Sequence, residues 1–171
     1  KQPCRIMEVI EKRDVMLHLP YHSFDSIIDL LREAAIDPFV QSIRITCYRL
    51  AKDSKIVNAL INAVRNGKKV TVVLELRARF DEEANMRWKA QLEEEGVQVV
   101  LGIHDMKVHA KICVIKKREF NRTKQYGFIS TGNLNENTAG YYGDHCLLTT
   151  NTNIIADMNR IFDFLENPLK K

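Results

Sequence analysis

Residues 40–76, VQSIRITCYRLAKDSKIVNALINAVRNGKKVTVVLEL, carry the clearest structural pattern of the sequence. The first part of this stretch, residues 40–50, alternates apolar and polar side chains, which predicts a strand. A helix follows, with Asp53 or Ser54 as its cap and Asn66-Gly67 at its end. Residues 69–76 are an apolar run that predicts a buried strand. Strand, helix and strand in this succession indicate an α/β fold.

The same succession continues on both sides of this stretch. Further strands are predicted over residues 15–19, 97–103, 108–115, 125–130 and 146–149, and further helical segments over 24–35, 81–95, 135–139 and 152–165. We therefore expect a layered α/β domain with a largely parallel central sheet. The hairpin-like pair around residues 108–130 adds an antiparallel portion, which makes the expected sheet mixed.

The composition is that of an ordinary soluble globular chain and excludes several classes of protein. Of 171 residues, 45% are hydrophobic and 28% are charged, and no apolar run reaches the length of a membrane-spanning helix. The net charge of +4 permits an anionic ligand, but acidic and basic residues are interleaved, unlike the dense basic stripe of a DNA-binding protein. We expect no transmembrane segment and no nucleic-acid partner.

The cysteines and the chain ends give two further expectations. The four cysteines form no CxxC pair, and they predict buried thiols in a reducing cytosol, without disulfides or a zinc site (Cys4, Cys47, Cys113, Cys146). Residues 1–14 are a charged stretch that indicates a lead-in from an upstream domain. We expect a single domain over residues 15–168, as a fragment of a longer multidomain protein.

A histidine and a lysine begin the predicted strand at residues 108–115. Residues two apart on a strand share a face, so His109 and Lys111 are expected to point the same way. A neutral imidazole can attack phosphorus, and an adjacent ammonium can hold a phosphate oxygen. Taken alone, this pattern is more often a histidine and a lysine on the solvent side of an edge strand.

The next strand leads into a turn with phosphate-binding potential, Ser130-Thr131-Gly132-Asn133-Leu134-Asn135. Glycine permits close approach of the backbone, and the hydroxyl of Thr131 and the amide of Asn133 suit phosphate oxygens. An ordinary capped turn is the alternative interpretation.

Arginines follow both strands of the opening stretch, Arg49 after the first and Arg77 and Arg79 after the second. Ligands of α/β sheets collect beyond the carboxyl ends of strands, and guanidinium groups suit phosphate. Ion pairs with the acidic residues 81–83 are the alternative. For Arg77 the two interpretations are even, and for Arg49 and Arg79 we favour ligand binding.

In combination, the histidine–lysine pair, the following strand and the Gly-Asn turn resemble the phospholipase D superfamily. The resemblance implies a layered α/β/α domain with a mixed, largely parallel central sheet. The chain departs from the superfamily hydrolases in two respects. It has Lys116 where they carry an aspartate, and it holds one motif where they need two.

Longer runs resemble bacterial polyphosphate kinase of the histidine-phosphorylating type, specifically the first of its two carboxy-terminal phospholipase-D-like domains. These runs are residues 20–25, 48–54, 78–85, 108–111 and 131–135. The resemblance implies reversible transfer of the terminal phosphoryl group of ATP to inorganic polyphosphate, with Mg²⁺. It also implies a homo-oligomeric, cytoplasmic enzyme, or one peripheral to the inner membrane, whose other domains complete the nucleotide site.

The resemblance assigns roles to individual residues. His109 matches the histidine that becomes phosphorylated, with Lys111 and Asn133 as catalytic partners, and Tyr142 matches a nucleotide-contacting tyrosine. Arg49 and Arg79 match positions associated with magnesium. Because Mg²⁺ prefers oxygen ligands, we interpret these two arginines as phosphate clamps beside the metal.

For catalysis His109 must be neutral. An ordinary histidine pKa of roughly 6.5 leaves most of the imidazole neutral at pH 7, and neighbouring cations favour that form.

Two other functions stay open on the sequence alone. The chain could be a phosphodiesterase or nuclease that acts as a homodimer, although Lys116 in place of the aspartate argues against this. It could also be a non-catalytic module that binds polyphosphate, since the resemblance places half of the nucleotide site in other domains. For the same reason, we expect the isolated fragment to be inactive or weakly active. His18, His22, His104 and His145 receive no role.

Overall fold

The computed structural model describes residues 5–76, 82–103 and 106–168. Within these ranges the chain forms seven strands, five α-helices and one short 3₁₀ turn. The strands are β1 Val15–Leu19, β2 Val40–Cys47, β3 Lys69–Leu74, β4 Gln98–Leu101, β5 Lys111–Glu119, β6 Arg122–Ser130 and β7 Asp144–Thr149. The helices are α1 Ile6–Lys12, α2 Asp25–Ile36, α3 Lys55–Arg65, α4 Glu82–Glu94 and α5 Thr152–Glu166, and the 3₁₀ turn is Thr138–Gly140.

The strands form one mixed sheet in the order β1-β7-β6-β5-β2-β3-β4, which confirms the predicted fold class. The expectation that the sheet is largely parallel is wrong, because most neighbouring strand pairs are antiparallel. Only β2, β3 and β4 run parallel among the described strands, and the other neighbouring pairs are antiparallel. Strand β5 already pairs antiparallel with β2. The β5–β6 hairpin, closed by a tight turn with Phe120 and Asn121 at positive φ, and the pairs made by β7 and β1 add further antiparallel neighbours.

Helices cover both faces of the sheet, so the layered α/β/α arrangement is confirmed. On one face, α1, α2, α3 and Leu92 of α4 pack with the sheet in the main core. On the other face, α5 packs through Ile155, Met158 and Phe162. The local signals act as expected, since Ser54 caps α3 by accepting the N–H of Val57 and Gly67 follows the helix with a φ of 79°.

Helix α1 lies within the segment that the sequence assigned to a lead-in. Its Met7 and Ile10 are buried in the main core, and the carboxylate of Glu33 accepts the N–H groups of Ile6 and Met7 at 2.8 and 3.2 Å. The sequence did not predict this helix because its apolar residues stand among charged ones. The domain boundary at residue 15 stays a prediction.

Three of the four cysteines are described, and all three are buried free thiols, as predicted (Cys47, Cys113, Cys146). Burial raises the pKa of Cys47 and of Cys146 to about 12, so these thiols are unreactive at neutral pH. Cys4 lies outside the described residues. Among the helices of the described ranges, none has the length and apolar character needed to cross a membrane.

Candidate functional site

The site lies at the edge of the sheet where β2 ends and β5 begins. These strands are antiparallel, and the last pair of their register is Ile45 opposite Cys113. The side chain of Thr46 connects these two segments through hydrogen bonds. Its Oγ1 donates to the carbonyl of Ala110 at 2.6 Å and accepts the N–H of Ile112 at 3.0 Å. His109 is therefore held in place although it precedes the first hydrogen-bonded residue of β5.

Buried polar groups hold the same segment from the side of β3. The carboxylate of Glu75, which directly follows β3, accepts the N–H of Val108 at 2.8 Å, and the backbone N–H of Glu75 donates to the carbonyl of Cys47. Asn85 on α4 donates its amide to the carbonyls of Tyr48 at 2.9 Å and Glu75 at 2.8 Å. Because buried polar groups are costly to leave unpaired, these bonds fix the strand ends around His109.

His109 and Lys111 lie on the same side, as their spacing predicts. Nζ of Lys111 is 3.1 Å from Nδ1 and 3.0 Å from Nε2 of His109. His109 is exposed, whereas Lys111 is only 4% exposed. An anionic group attached to either ring nitrogen would therefore lie next to a fixed ammonium group.

The ring of Tyr48, which the sequence analysis did not single out, lies at the centre of the cations. It is 6% exposed, and the ring of His109 meets it edge-on at 5.0 Å between centroids. The ammonium groups of Lys107 and Lys111 lie over the ring at 5.2 Å from its centroid, and the guanidinium of Arg49 at 5.5 Å. The signal for this cluster is absent from the local sequence because Tyr48 and Lys107 are far apart in the chain.

The electrostatics of this cluster favour a neutral imidazole and an anionic ligand. Burial, and then the positive charges of Lys111, Lys107 and Arg49, lower the pKa of His109. Burial is also the largest cause that lowers the pKa of Lys111; Arg49 and Lys107 add to it, and Asp144 opposes it. The expectation of a neutral His109 at pH 7 is thus supported, and an anion would offset the repulsion among the cations.

The Gly-Asn turn reaches the same sheet edge, because β6 ends at Ser130, which pairs with Lys111. Gly132 is packed against Asp144 so closely that an added Cβ would lie 2.5 Å from Cγ and 2.9 Å from Cβ of that aspartate. Thr131 donates its hydroxyl to Asp144 at 2.7 Å and accepts the N–H of His145 at 3.0 Å. A phosphate-binding role for Thr131 would require its hydroxyl to leave Asp144.

The turn is also tied to helix α3. Oε1 of Glu136 accepts the N–H groups of Lys55 at 2.6 Å and Ile56 at 3.2 Å, so a residue distant in sequence caps the start of α3. The side-chain oxygen of Asn133 is buried and accepts no hydrogen bond from the described residues. A buried acceptor without a donor is costly, and a phosphate would not satisfy it, because phosphate oxygens are themselves acceptors.

Comparison with known proteins places this geometry in a family. The family model described as "Polyphosphate kinase C-terminal domain 1" matches residues 5–171. The chain belongs to this family. It is 48% identical over 163 residues to the polyphosphate kinase of Escherichia coli strain K12, an alignment that covers 95% of the chain and 24% of the relative. The chain therefore spans about a quarter of the length of the curated relatives that it matches.

Solved structures agree with this membership. The crystal structure of polyphosphate kinase from Porphyromonas gingivalis is similar with a TM-score of 0.85 and 42% identity, covering 97% of this chain and 28% of that one. The phospholipase D family member Nuc from Salmonella typhimurium is similar with a TM-score of 0.66 and 16% identity, covering 90% of this chain and 93% of that one. The second likeness concerns the fold alone, and it confirms the phospholipase-D-like architecture.

Not all predicted site residues of this polyphosphate kinase domain come together. Tyr142 is 59% exposed, and its ring packs on Tyr141 at 4.9 Å between centroids. Arg79 lies outside the described residues, as do Arg77 and His104. The site that the described residues form thus consists of His109, Lys111 and Arg49, arranged around Tyr48.

The described residues of this polyphosphate kinase domain do not offer a suitable set of ligands for a resident Mg²⁺ ion. No group of three histidine, cysteine, aspartate or glutamate side chains in the described ranges could hold a metal ion. The groups around His109 are the cations Lys107, Lys111 and Arg49, whereas Mg²⁺ requires oxygen ligands. Arg49 is therefore not a metal ligand, and its placement agrees with a phosphate clamp.

Proposed function

We propose that this polyphosphate kinase domain carries the reactive histidine of a reversible ATP:polyphosphate phosphotransferase. The observation that supports this proposal best is the exposed imidazole of His109 with Nζ of Lys111 at 3.0 and 3.1 Å from its two ring nitrogens. A nucleophile for phosphoryl transfer must be accessible and neutral, and the charge of the transferred group must be met by fixed donors.

In the proposed first step, a ring nitrogen of neutral His109 attacks the terminal phosphorus of ATP. An N–P bond forms while the bond from that phosphorus to the bridging oxygen breaks, and ADP leaves with the electron pair. The proton of the imidazole stays on the other ring nitrogen. Lys111 and Arg49 offset the charge on the transferred oxygens.

In the second step, the terminal oxygen of a polyphosphate chain attacks the phosphorus of phosphohistidine. The N–P bond breaks, and its electron pair returns to the imidazole. The reverse sequence would make ATP from ADP and polyphosphate.

Other parts of the proposal rest on the resemblance. Asn133 would donate its amide to a phosphate oxygen, Arg79 would act with Arg49 as a clamp, and Tyr142 would contact the nucleotide. Mg²⁺ would arrive bound to ATP, with no residue assigned to it. The proposed partners are polyphosphate, ATP or ADP, the remaining parts of a longer polyphosphate kinase chain and a second copy. The proposed location is the cytoplasm or the periphery of the inner membrane.

A phosphodiesterase is the second candidate, because the fold is similar to that of Nuc. The residue that stands in place of the hydrolase aspartate, Lys116, is exposed on β5 between Ser42 and Gln125 of the neighbouring strands. A lysine at this position departs from the pattern of the superfamily hydrolases. The transferase is therefore the better supported function.

Phosphorylation by ATP tests the proposal. The protein that contains this domain is incubated with Mg-ATP, kept at alkaline pH to preserve phosphohistidine, and mapped by mass spectrometry. His109→Ala is compared with His145→Ala, which removes an exposed histidine that stacks on His18. We expect a phosphoryl group on His109 that only His109→Ala abolishes. Hydrolysis of a generic phosphodiester without any phosphohistidine would support the second candidate instead.

A further inference from the structure

We infer that Tyr48 is a positioning residue for the chemistry at His109, because its ring gathers Lys107, Lys111 and Arg49 beside the imidazole. The effect of Tyr48 on phosphoryl transfer rests on the proposed function, whereas the contacts of its ring do not depend on that function. Nothing in the residue's type or local sequence assigns it this role.

The contacts of the ring carry the inference. Two ammonium groups lie 5.2 Å and one guanidinium carbon 5.5 Å from the ring centroid, which is the range in which the negative face of an aromatic ring attracts a cation. The ring of His109 meets that of Tyr48 edge-on, at 5.0 Å and 77°. One side chain therefore contacts every member of the cluster.

Such an organiser is needed because the three cations repel one another. Like charges within a few ångströms are unfavourable, and more so in a partly buried site. Asp144 opposes the lowering of the pKa of Lys111, but burial and then the positive charges of Lys111, Lys107 and Arg49 still lower the pKa of His109. The face of the Tyr48 ring offsets part of the repulsion without adding a negative charge that would exclude phosphate.

Tyr48 is itself fixed in place. Its ring is 6% exposed, its carbonyl accepts the amide of Asn85 at 2.9 Å, and it follows β2 directly. Lys111 is likewise buried at the start of β5. A rigid ring that packs on a rigid strand keeps the ammonium of Lys111 next to both ring nitrogens of His109, which is the arrangement the proposed transfer requires.

The test compares Tyr48→Leu, which removes the ring, with Tyr48→Phe, which keeps it. A matched control is Phe162→Leu, because Phe162 is also a buried aromatic with a cation over its ring, Arg44 at 5.2 Å. Arg44 pairs with Val114, three residues beyond Lys111 on β5, so the control lies away from His109. All variants are compared at equal folded fraction, measured by thermal unfolding.

Two readouts are taken from each variant. The first is the rate constant for phosphohistidine formation at saturating ATP. The second needs no ATP, and it is the pH dependence of acylation of His109 by diethyl pyrocarbonate, which reacts with neutral imidazole and is mapped by mass spectrometry. We expect Tyr48→Leu to slow phosphorylation roughly tenfold, and Tyr48→Phe to stay within about threefold of the wild type.

The acylation profile reports whether the cations still surround the imidazole. In Tyr48→Leu the midpoint should move upward, toward the ordinary histidine pKa of about 6.5, because the cations separate and water enters. Tyr48→Phe and Phe162→Leu should keep the lower midpoint. An unchanged acylation midpoint in Tyr48→Leu would overturn the inference. Equal slowing of phosphorylation in Tyr48→Phe and Tyr48→Leu would also overturn it. A wild-type protein that takes no phosphoryl group on His109 would overturn the proposed function, while the acylation profile would still decide the role of Tyr48.

Discussion

Lys111 buries its ammonium group against the imidazole of His109, and burial of a cation costs free energy in the folded state. Burial is also the largest cause that lowers the pKa of Lys111, so the unfolded chain holds this proton more tightly than the folded chain. Stability should therefore rise as the pH rises through the lowered pKa, and at neutral pH the charged form opposes folding.

Replacement of Lys111 by methionine should separate stability from reactivity. In the absence of ligand, Lys111→Met should leave the thermal midpoint unchanged or raise it by up to about 4 °C. Phosphohistidine formation should fall by about a hundredfold or more, because a fixed charge beside the transferred group is lost. Calorimetry and single-turnover phosphorylation measure the two effects.

The matched control is Lys116→Met, which removes an exposed lysine from the same strand. It should change the phosphorylation rate by less than about twofold, as is usual for an exposed charge. A Lys111→Met protein that unfolds several degrees earlier and still phosphorylates His109 normally would contradict this account of Lys111.

Gly132 is required by the close approach of Asp144. An added Cβ would lie 2.5 Å from Cγ and 2.9 Å from Cβ of Asp144, so the whole side chain must move and its bond with Thr131 must break. Gly132→Ala should lower the free energy of unfolding by about 1–3 kcal/mol. Urea denaturation measures this change. Gly143→Ala is the control, because an added Cβ there meets no atom within 4 Å, and equal losses in both variants would refute the steric explanation.

At the scale of the elements, Glu136 joins the Gly-Asn turn to helix α3. Its carboxylate accepts the N–H groups of Lys55 and Ile56, near the positive end of the helix dipole. Glu136→Ala should lower the free energy of unfolding by about 1–2 kcal/mol, and it should slow phosphorylation because the turn carrying Asn133 loses its anchor.

Asn137→Ala is the appropriate comparison for Glu136. Asn137 is exposed, and its contact with the turn is made by its backbone N–H to Asn135, so its side chain should be dispensable. Chemical denaturation and phosphohistidine formation are measured on both variants. A Glu136→Ala protein as stable and as active as Asn137→Ala would show that the turn does not depend on this cap.

The elements that the sequence predicts well are those with a strong periodic pattern and a local end signal. Strand β1 was predicted with the bounds observed, and α3 was predicted from a cap at Asp53 or Ser54, of which Ser54 is the observed cap, and from an end at Asn66-Gly67. Helix α1 was missed because its buried residues, Met7 and Ile10, stand in a charged stretch. The share of parallel pairs was overestimated. The order of elements along the chain does not by itself show whether β7 and β1 run parallel or antiparallel to the strands beside them.

For the site, the sequence indicated the groups proposed to react, His109 and Lys111, but not the groups that hold them in place. The two-residue spacing of His109 and Lys111 predicted their common side. The roles of Tyr48, Asn85 and Glu136 depend on partners far along the chain, which periodicity cannot show, although Tyr48 and Asn85 stand in the runs that carry the family resemblance. Thr131 was predicted as a phosphate ligand, and its hydroxyl instead joins β6 to Asp144, so that role stays a prediction.

At the scale of the whole molecule, a modest net charge of +4 coexists with a concentrated group of cations at one sheet edge. Binding of polyphosphate to that edge should weaken with salt. If Arg49, Lys107 and Lys111 each contact one phosphate, the logarithm of the dissociation constant should rise by about 2 per logarithm of salt concentration, at roughly 0.7 per contact. Fluorescence polarisation of labelled polyphosphate measures this slope.

The same titration on Arg49→Gln should give a slope lower by about 0.7. Arg32→Gln serves as the control, because Arg32 pairs with Asp29 on the exposed side of α2. A slope near zero in the wild type, or one that Arg32→Gln reduces as much as Arg49→Gln does, would place the polyphosphate elsewhere on the surface.

The central claim, that His109 carries the phosphoryl group between ATP and polyphosphate, is tested most directly by a chase. The protein is phosphorylated with ATP labelled at its terminal phosphate, freed of nucleotide, and mixed with polyphosphate, with ADP, or with buffer alone. We expect the label to leave His109 for the polyphosphate chain, or for ATP when ADP is added, and to stay on the protein in buffer. Release of the label as inorganic phosphate in all three mixtures would contradict the claim, because it is the behaviour of a hydrolase.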